Sequence, residues 1–79
     1  MDGSIPVPEL KDRLGLQTLP AEDKGYYTIL SGMFMYMTGR IPKEGDYVTW
    51  NGWRFEVMDM DGNMIDKLLV ERIPEKEND

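Results

Sequence analysis

Three carboxylates, Asp59, Asp61 and Asp66, surround a glycine in the segment DMDGNMID. Carboxylates gathered this closely are what a hard divalent cation requires. A calcium loop of the EF-hand type places oxygen ligands at its first, third and fifth positions, glycine at the sixth and a bidentate glutamate at the twelfth. Counted from Asp59, the third and fifth places hold Asp61 and Asn63, but Gly62 stands fourth and Val70 twelfth, so the pattern fails. Two readings remain. One is a looser divalent-cation site built on Asp59, Asp61 and Asp66. The other, the better account, is a hairpin turn whose acidic residues keep it soluble.

The remaining chemistry is sparse. The 79 residues include no cysteine and no histidine. That removes disulfides, thiolate nucleophiles, histidine-activated triads and most zinc sites. Ser4, Ser31 and the threonines have no base to activate them, so catalysis is not expected. The stretch GRIPKEGD has glycines and a lysine, but a phosphate loop needs Gly-Lys-Ser/Thr opening a helix. Here Gly45 is followed by Asp46 and Tyr47, and the segment leaves a helix. Formal net charge is −6, and the nine lysines and arginines are scattered singly, which disfavours nucleic acid. No apolar run is long enough to cross a membrane, and the first ten residues have no basic, then apolar, signal pattern. No direct membrane insertion is expected.

The elements that would position these residues can be read from periodicity. Pro8 and Glu9 suit a first helical turn, Leu10 and Leu14 share one face, and Gly15 ends the helix. Pro20 to Gly25 reads as a polar loop. A second helix runs from a cap at Thr28 to Gly39, with Ile29, Met33 and Met37 on one stripe and Leu30, Phe34 and Tyr36 widening it. Gly32 within it implies close approach of a neighbouring element. Pro42 and Glu44-Gly45 make a turn. Asp46 to Trp50 alternates as a strand, and Asn51-Gly52 signals a hairpin. Trp50 and Trp53 then face each other, either as a clamp on that hairpin or as a partner-docking patch with Met35 and Tyr36.

A second hairpin follows. If Asp61-Gly62 forms its loop, Phe55 faces Leu68 and Glu56 faces Lys67. If Gly62-Asn63 forms it, Arg54 faces Glu71. Both choices put Trp53, Phe55, Val57, Leu68 and Val70 on one face, and a one-residue slip would expose an apolar set. A helix must cover that face, which gives an α+β fold of two short helices on a small antiparallel sheet of about three strands. The domain is expected over residues 1–73, with 74–79 as a charged, flexible tail.

The order of these motifs resembles the CorC/HlyC transporter-associated domain. The resemblance is carried by DGS at Asp2 to Ser4, the PxxEL-like first helix, and GRIPKEGD. It continues in GWRFEV at Gly52 to Val57 and DMDGNMIDK at Asp59 to Lys67. It implies an accessory domain on the cytoplasmic face of a bacterial inner membrane. The parent would be a haemolysin-like or magnesium and cobalt efflux protein with transmembrane and CBS domains as own-chain partners, and a homodimer. It also implies a fold similar to a sub-domain of FAD-binding PCMH-like proteins, and hence FAD or adenine nucleotide as alternative ligands. A protein-binding adaptor unrelated to transport is a further alternative. The family opens with a strand just before DG, where this chain has only Met1. A piece cut from a longer protein, with that edge strand short or missing and the sheet edge open to a second copy, is therefore expected.

Overall fold

The computed structural model describes residues 1–74. The tail expected at 74–79 lies, from residue 75 onward, outside them. Helix α1 spans Val7–Leu14 and α2 spans Leu30–Thr38, with a short 3-10 turn at Glu22–Lys24 between them. Strands β1 (Tyr47–Trp50), β2 (Trp53–Asp61) and β3 (Met64–Arg72) form one antiparallel sheet in the order β1-β2-β3. The helices cover one face of it, as the apolar alternation demands. Leu10 of α1, Leu19 of the loop, Leu30, Met33 and Phe34 of α2, and Phe55, Val57, Ile65 and Leu68 of the sheet form the buried core.

Both helices end at glycines in the left-handed region, Gly15 with φ 68° and Gly39 with φ 73°. The start of α2 departs from expectation. Ile29, not Thr28, is the N-cap, and no side chain caps the helix. The reason lies in the N-terminal segment, which turns at Gly3-Ser4 beside it. The Ile5 carbonyl accepts the Leu30 N–H at 3.0 Å, and the Gly3 carbonyl accepts the Ser31 N–H at 2.8 Å. Backbone oxygens thus satisfy two donors that a threonine cap would have served.

The same segment closes a sheet edge. Asp2 bridges to Lys67, and the Gly3 N–H donates to the Asp66 carbonyl at 2.9 Å. Met1 and Leu68 exchange two bonds of 2.8 Å. So Met1–Gly3 occupies the β3 edge that was expected to stand open. Gly3 is buried there, and a Cβ would overlap the Ile65 carbonyl oxygen and stand 3.3 Å from the Ser31 Cβ.

Two tight turns set the register. Asn51 and Gly52 have φ of 48° and 87° and place Trp50 opposite Trp53. This is the double positive-φ turn that the Asn-Gly pair favours. The second loop is Gly62-Asn63, with Asp61 opposite Met64 and Arg54 opposite Glu71. The Asp61-Gly62 alternative fails, and so does the Glu56–Lys67 pair that depended on it. Glu56 faces Leu69 and instead accepts from Arg54 at 2.6 Å. Register shifts on both sides of the Asp59–Lys67 pair leave Met58 and Asp66 out of the one-to-one pairing. Ile65 and Leu68 are three apart, yet both are buried. The irregularity turns both toward the core, which a regular two-residue alternation cannot do.

Three carboxylates are tied down. Asp46 accepts from the Lys43 N–H and from Arg40, each at 2.9 Å, closing the GRIPKEGD turn. The Lys43 amide first, then Arg40, holds its pKa below the ordinary value. Glu22 takes a 2.5 Å bond from Lys11 and one of 3.1 Å from the Leu19 N–H, and Asp2 a 2.8 Å bond from Lys67. Both are lowered, chiefly by the lysine hydrogen bonds.

Two outcomes test this packing. Ser31 is 1% exposed and its hydroxyl has no hydrogen-bond partner. Ser31→Ala should therefore raise stability by about 1 kcal/mol in urea denaturation. At Gly32 a Cβ would lie 3.0 Å from the Cβ of Tyr27. The overlap outweighs the helix propensity that alanine gains, so Gly32→Ala should lower stability by about 1 kcal/mol; a gain would refute the close approach.

The lowered carboxylates give a third outcome. Their folded pKa values lie below the unfolded ones, so their contribution is present above the ordinary carboxylate range and is lost as pH falls through the folded values. The melting temperature should stay level between about pH 5 and 7 and fall below about pH 4. A midpoint that held steady to about pH 2 would show that these bonds do not stabilise the fold.

Candidate functional site

Asp59, Asp61 and Asp66 are all exposed. Asp59 pairs in register with Lys67, and Asp61 closes the hairpin opposite Met64. The Lys67 ammonium donates to Asp2, and its pKa is raised by that bond and charge first, then by Asp66 and Asp59. A lysine cation therefore already stands among the carboxylates. Among the described residues no three Asp, Glu, His or Cys side chains are grouped to hold a metal. Sequence reasoning missed Asp2 and Lys67 here, because their meeting spans nearly the whole chain.

The two tryptophans carry structure. Trp50 is half-buried, and its indole N–H donates to the Thr18 carbonyl at 3.0 Å, pinning the loop between α1 and the 3-10 turn to the sheet. Trp53 is half-buried beneath Arg72, whose guanidinium carbon lies 5.4 Å from the ring centroid. Both side chains have intramolecular contacts.

Met35 and Tyr36 lie elsewhere, on α2. Met35 is half-buried, while Tyr36 is 43% exposed. The Tyr36 ring stands 5.3 Å from that of Tyr26, which is 63% exposed, and 5.8 Å from that of Tyr27. Tyr27 is the fixed member. Its hydroxyl donates to the Pro20 carbonyl, and burial, with Glu22 second, pushes its pKa up. The structure thus joins Tyr36 to a tyrosine array. The YY pair at Tyr26-Tyr27 was the available signal for that array.

A second apolar patch is on the outer sheet face, where Tyr47, Met58 and Leu69 are exposed. Arg54 lies over the Tyr47 ring at 4.2 Å. The surface depressions fit a dinucleotide poorly. One of about 420 Å³ is formed by Thr18, Leu19, Ala21, Glu22 and Asp23, so two carboxylates would face a diphosphate. Another, of about 400 Å³, is lined by Gly52, Arg72, Ile73 and Pro74, and its one cation already stacks on Trp53. No helix among the described residues is long and apolar enough to cross a membrane.

Known proteins match this arrangement closely. Residues 1–74 fit the CorC_HlyC family model, a transporter-associated domain. A UPF0053 protein of Synechocystis is 43% identical over 95% of this chain, and the polyamine export protein of Escherichia coli K12 is 38% identical over 96% of it. The chain spans only 17% of the length of either protein. The transporter-associated domain of a Xylella fastidiosa haemolysin, solved in complex with Mg2+ and Mn2+, superimposes with a TM-score of 0.78 at 42% identity, covering 94% of this chain and 85% of that one. The CorC_HlyC domain of Haemophilus ducreyi gives 0.83 at 31% identity, with 95% of each chain covered. The chain belongs to the CorC/HlyC transporter-associated domain family.

Proposed function

We propose that this domain is a non-catalytic accessory module of an export protein, and that it biases transport through protein–protein contact. One observation carries the reading: residues 1–74 are a transporter-associated domain, and the chain matches only 17% of the length of relatives that include a polyamine export protein. The lack of any histidine or cysteine supports a role without chemistry. The partners are the CBS and membrane regions of the same longer chain, at the cytoplasmic face of the membrane, and a second copy. Residues 1–73 form the module and the charged tail links or ends it. The contact surface is the tyrosine array on α2, where Tyr36 and Tyr26 present aromatic area to solvent.

The test is transport by the longer protein that carries this chain. Replacing Tyr26 and Tyr36 together by alanine should change the export rate several-fold while the melting temperature of the isolated chain stays within a few degrees. Trp50→Phe should do the reverse. It removes the indole bond to Thr18, costs about 1 kcal/mol of stability and leaves export unchanged wherever the protein accumulates normally. Unchanged export on deleting the whole domain would sink the reading.

A second reading is divalent-cation binding at Asp59, Asp61 and Asp66, favoured by the Mg2+ and Mn2+ complex of the Xylella domain. Lys67 argues against it in this chain, since a metal would have to compete with its ammonium. Millimolar Mg2+ or Mn2+ should leave the melting temperature within about one degree, whereas ligand at 100 times its Kd would add about 2.7 kcal/mol. A saturable upward shift, abolished in Asp61→Asn, would install the metal reading instead.

A further inference from the structure

Gly3 is bonded on both of its sides. Its N–H donates to the Asp66 carbonyl of β3, and its carbonyl accepts the Ser31 N–H in the first turn of α2. The residues around it repeat the arrangement. Met1 exchanges bonds with Leu68 of β3, and the Ile5 carbonyl holds the Leu30 N–H of α2. The segment turns at Gly3-Ser4, where the Ile5 N–H donates to the Asp2 carbonyl at 3.2 Å, and forms a two-sided seam with its outer end on the sheet and its inner end on the helix.

We propose that Met1–Ile5 is a clasp that opens and closes as one unit, coupling the chain at Met1 to the β3 edge and the amino end of α2 together. Three observations carry it. First, α2 has no side-chain cap, so its leading N–H groups depend on the clasp carbonyls. Second, the fit at Gly3 is steric as well as polar, because a Cβ would overlap the Ile65 carbonyl oxygen. The backbone cannot shift on one side without breaking the other. Third, the side-chain attachment is slight. The Lys67–Asp2 pair is more than half exposed at both ends, so water and salt screen it. The buried anchor is Ile5, at 7% exposure.

A segment held this way opens at lower free energy than the core beneath it. Opening frees the Leu68 N–H and C=O and the Asp66 C=O on the sheet edge and, in the same event, uncaps α2. The device is independent of the transporter reading, since it concerns this chain alone and either can fail without the other.

Native-state amide hydrogen exchange on the 79-residue chain in low urea tests it. Leu30, Ser31 and Leu68 donate to the clasp, whereas Val57 donates to the Asp46 carbonyl on the far side of the sheet. The first three amides should share one opening free energy and one urea dependence, both below those of Val57. Gly3→Ala should then speed exchange of those three by a common factor of about tenfold or more and leave Val57 unchanged. Leu68 exchanging apart from Leu30 and Ser31 would overturn the proposal. So would all four amides following one global isotherm in the unsubstituted chain, a result that needs no variant to fold.

Discussion

Where Gly3 passes between the Ile65 carbonyl and the Ser31 Cβ, three elements meet with no room for a side chain. That close approach lets one short turning segment serve two neighbours. Its N–H groups and carbonyls complete the outer edge of β3 and the unsatisfied amino end of α2. The seam lies beside the packing of α2 on the sheet, where Leu30, Met33 and Phe34 are buried with Phe55 and Leu68. A domain of this size buries only about 60% of the surface its unfolded chain exposes, so a backbone seam of several hydrogen bonds is a substantial part of what holds it.

Seen from that seam, the acidic hairpin has a structural purpose. Lys67 receives Asp2 and stands near Asp59 and Asp66, so its ammonium offsets repulsion that would otherwise collect where β2, β3 and the N-terminal segment converge. The register irregularity at this level keeps both Ile65 and Leu68 in the core and leaves the Asp66 carbonyl bonded to Gly3. Of the three carboxylates that suggest a metal in the linear sequence, Asp59 and Asp66 stand near enough to Lys67 to raise its pKa.

Much of this was legible in advance, wherever the signal was local. Gly15 and Gly39 marked two helix ends, Asn51-Gly52 fixed a turn, and the alternation of Trp53, Phe55 and Val57 named the buried face. The family resemblance rested on such local words in their order. What escaped was non-local. Thr28 is a good cap by type, but carbonyls from residues 3 and 5 compete for the same donors and win. Asp61-Gly62 and Gly62-Asn63 are both turn formers and both choices bury the same residues, so neither loop sequence decides between them. Trp50 and Trp53 read as a hairpin clamp or a docking patch, and their contacts with Thr18 and Arg72 depend on segments far away in the sequence or at the far end of β3. Tyr36 belonged with the YY pair, a link that depends on how the loop before α2 returns along its outer face.

The pairing of the first residues with β3 also dictates an order of events during synthesis. The partners of Met1–Gly3 lie at Asp66–Leu68, among the last residues of the domain to leave the ribosome. The two hairpins close over short loops, whereas this contact closes over nearly the whole chain, and non-local closure is the slow kind. Helix α2 therefore emerges with its amino end unprotected and stays so until β3 is translated. The nascent domain is complete only when its beginning finds its end.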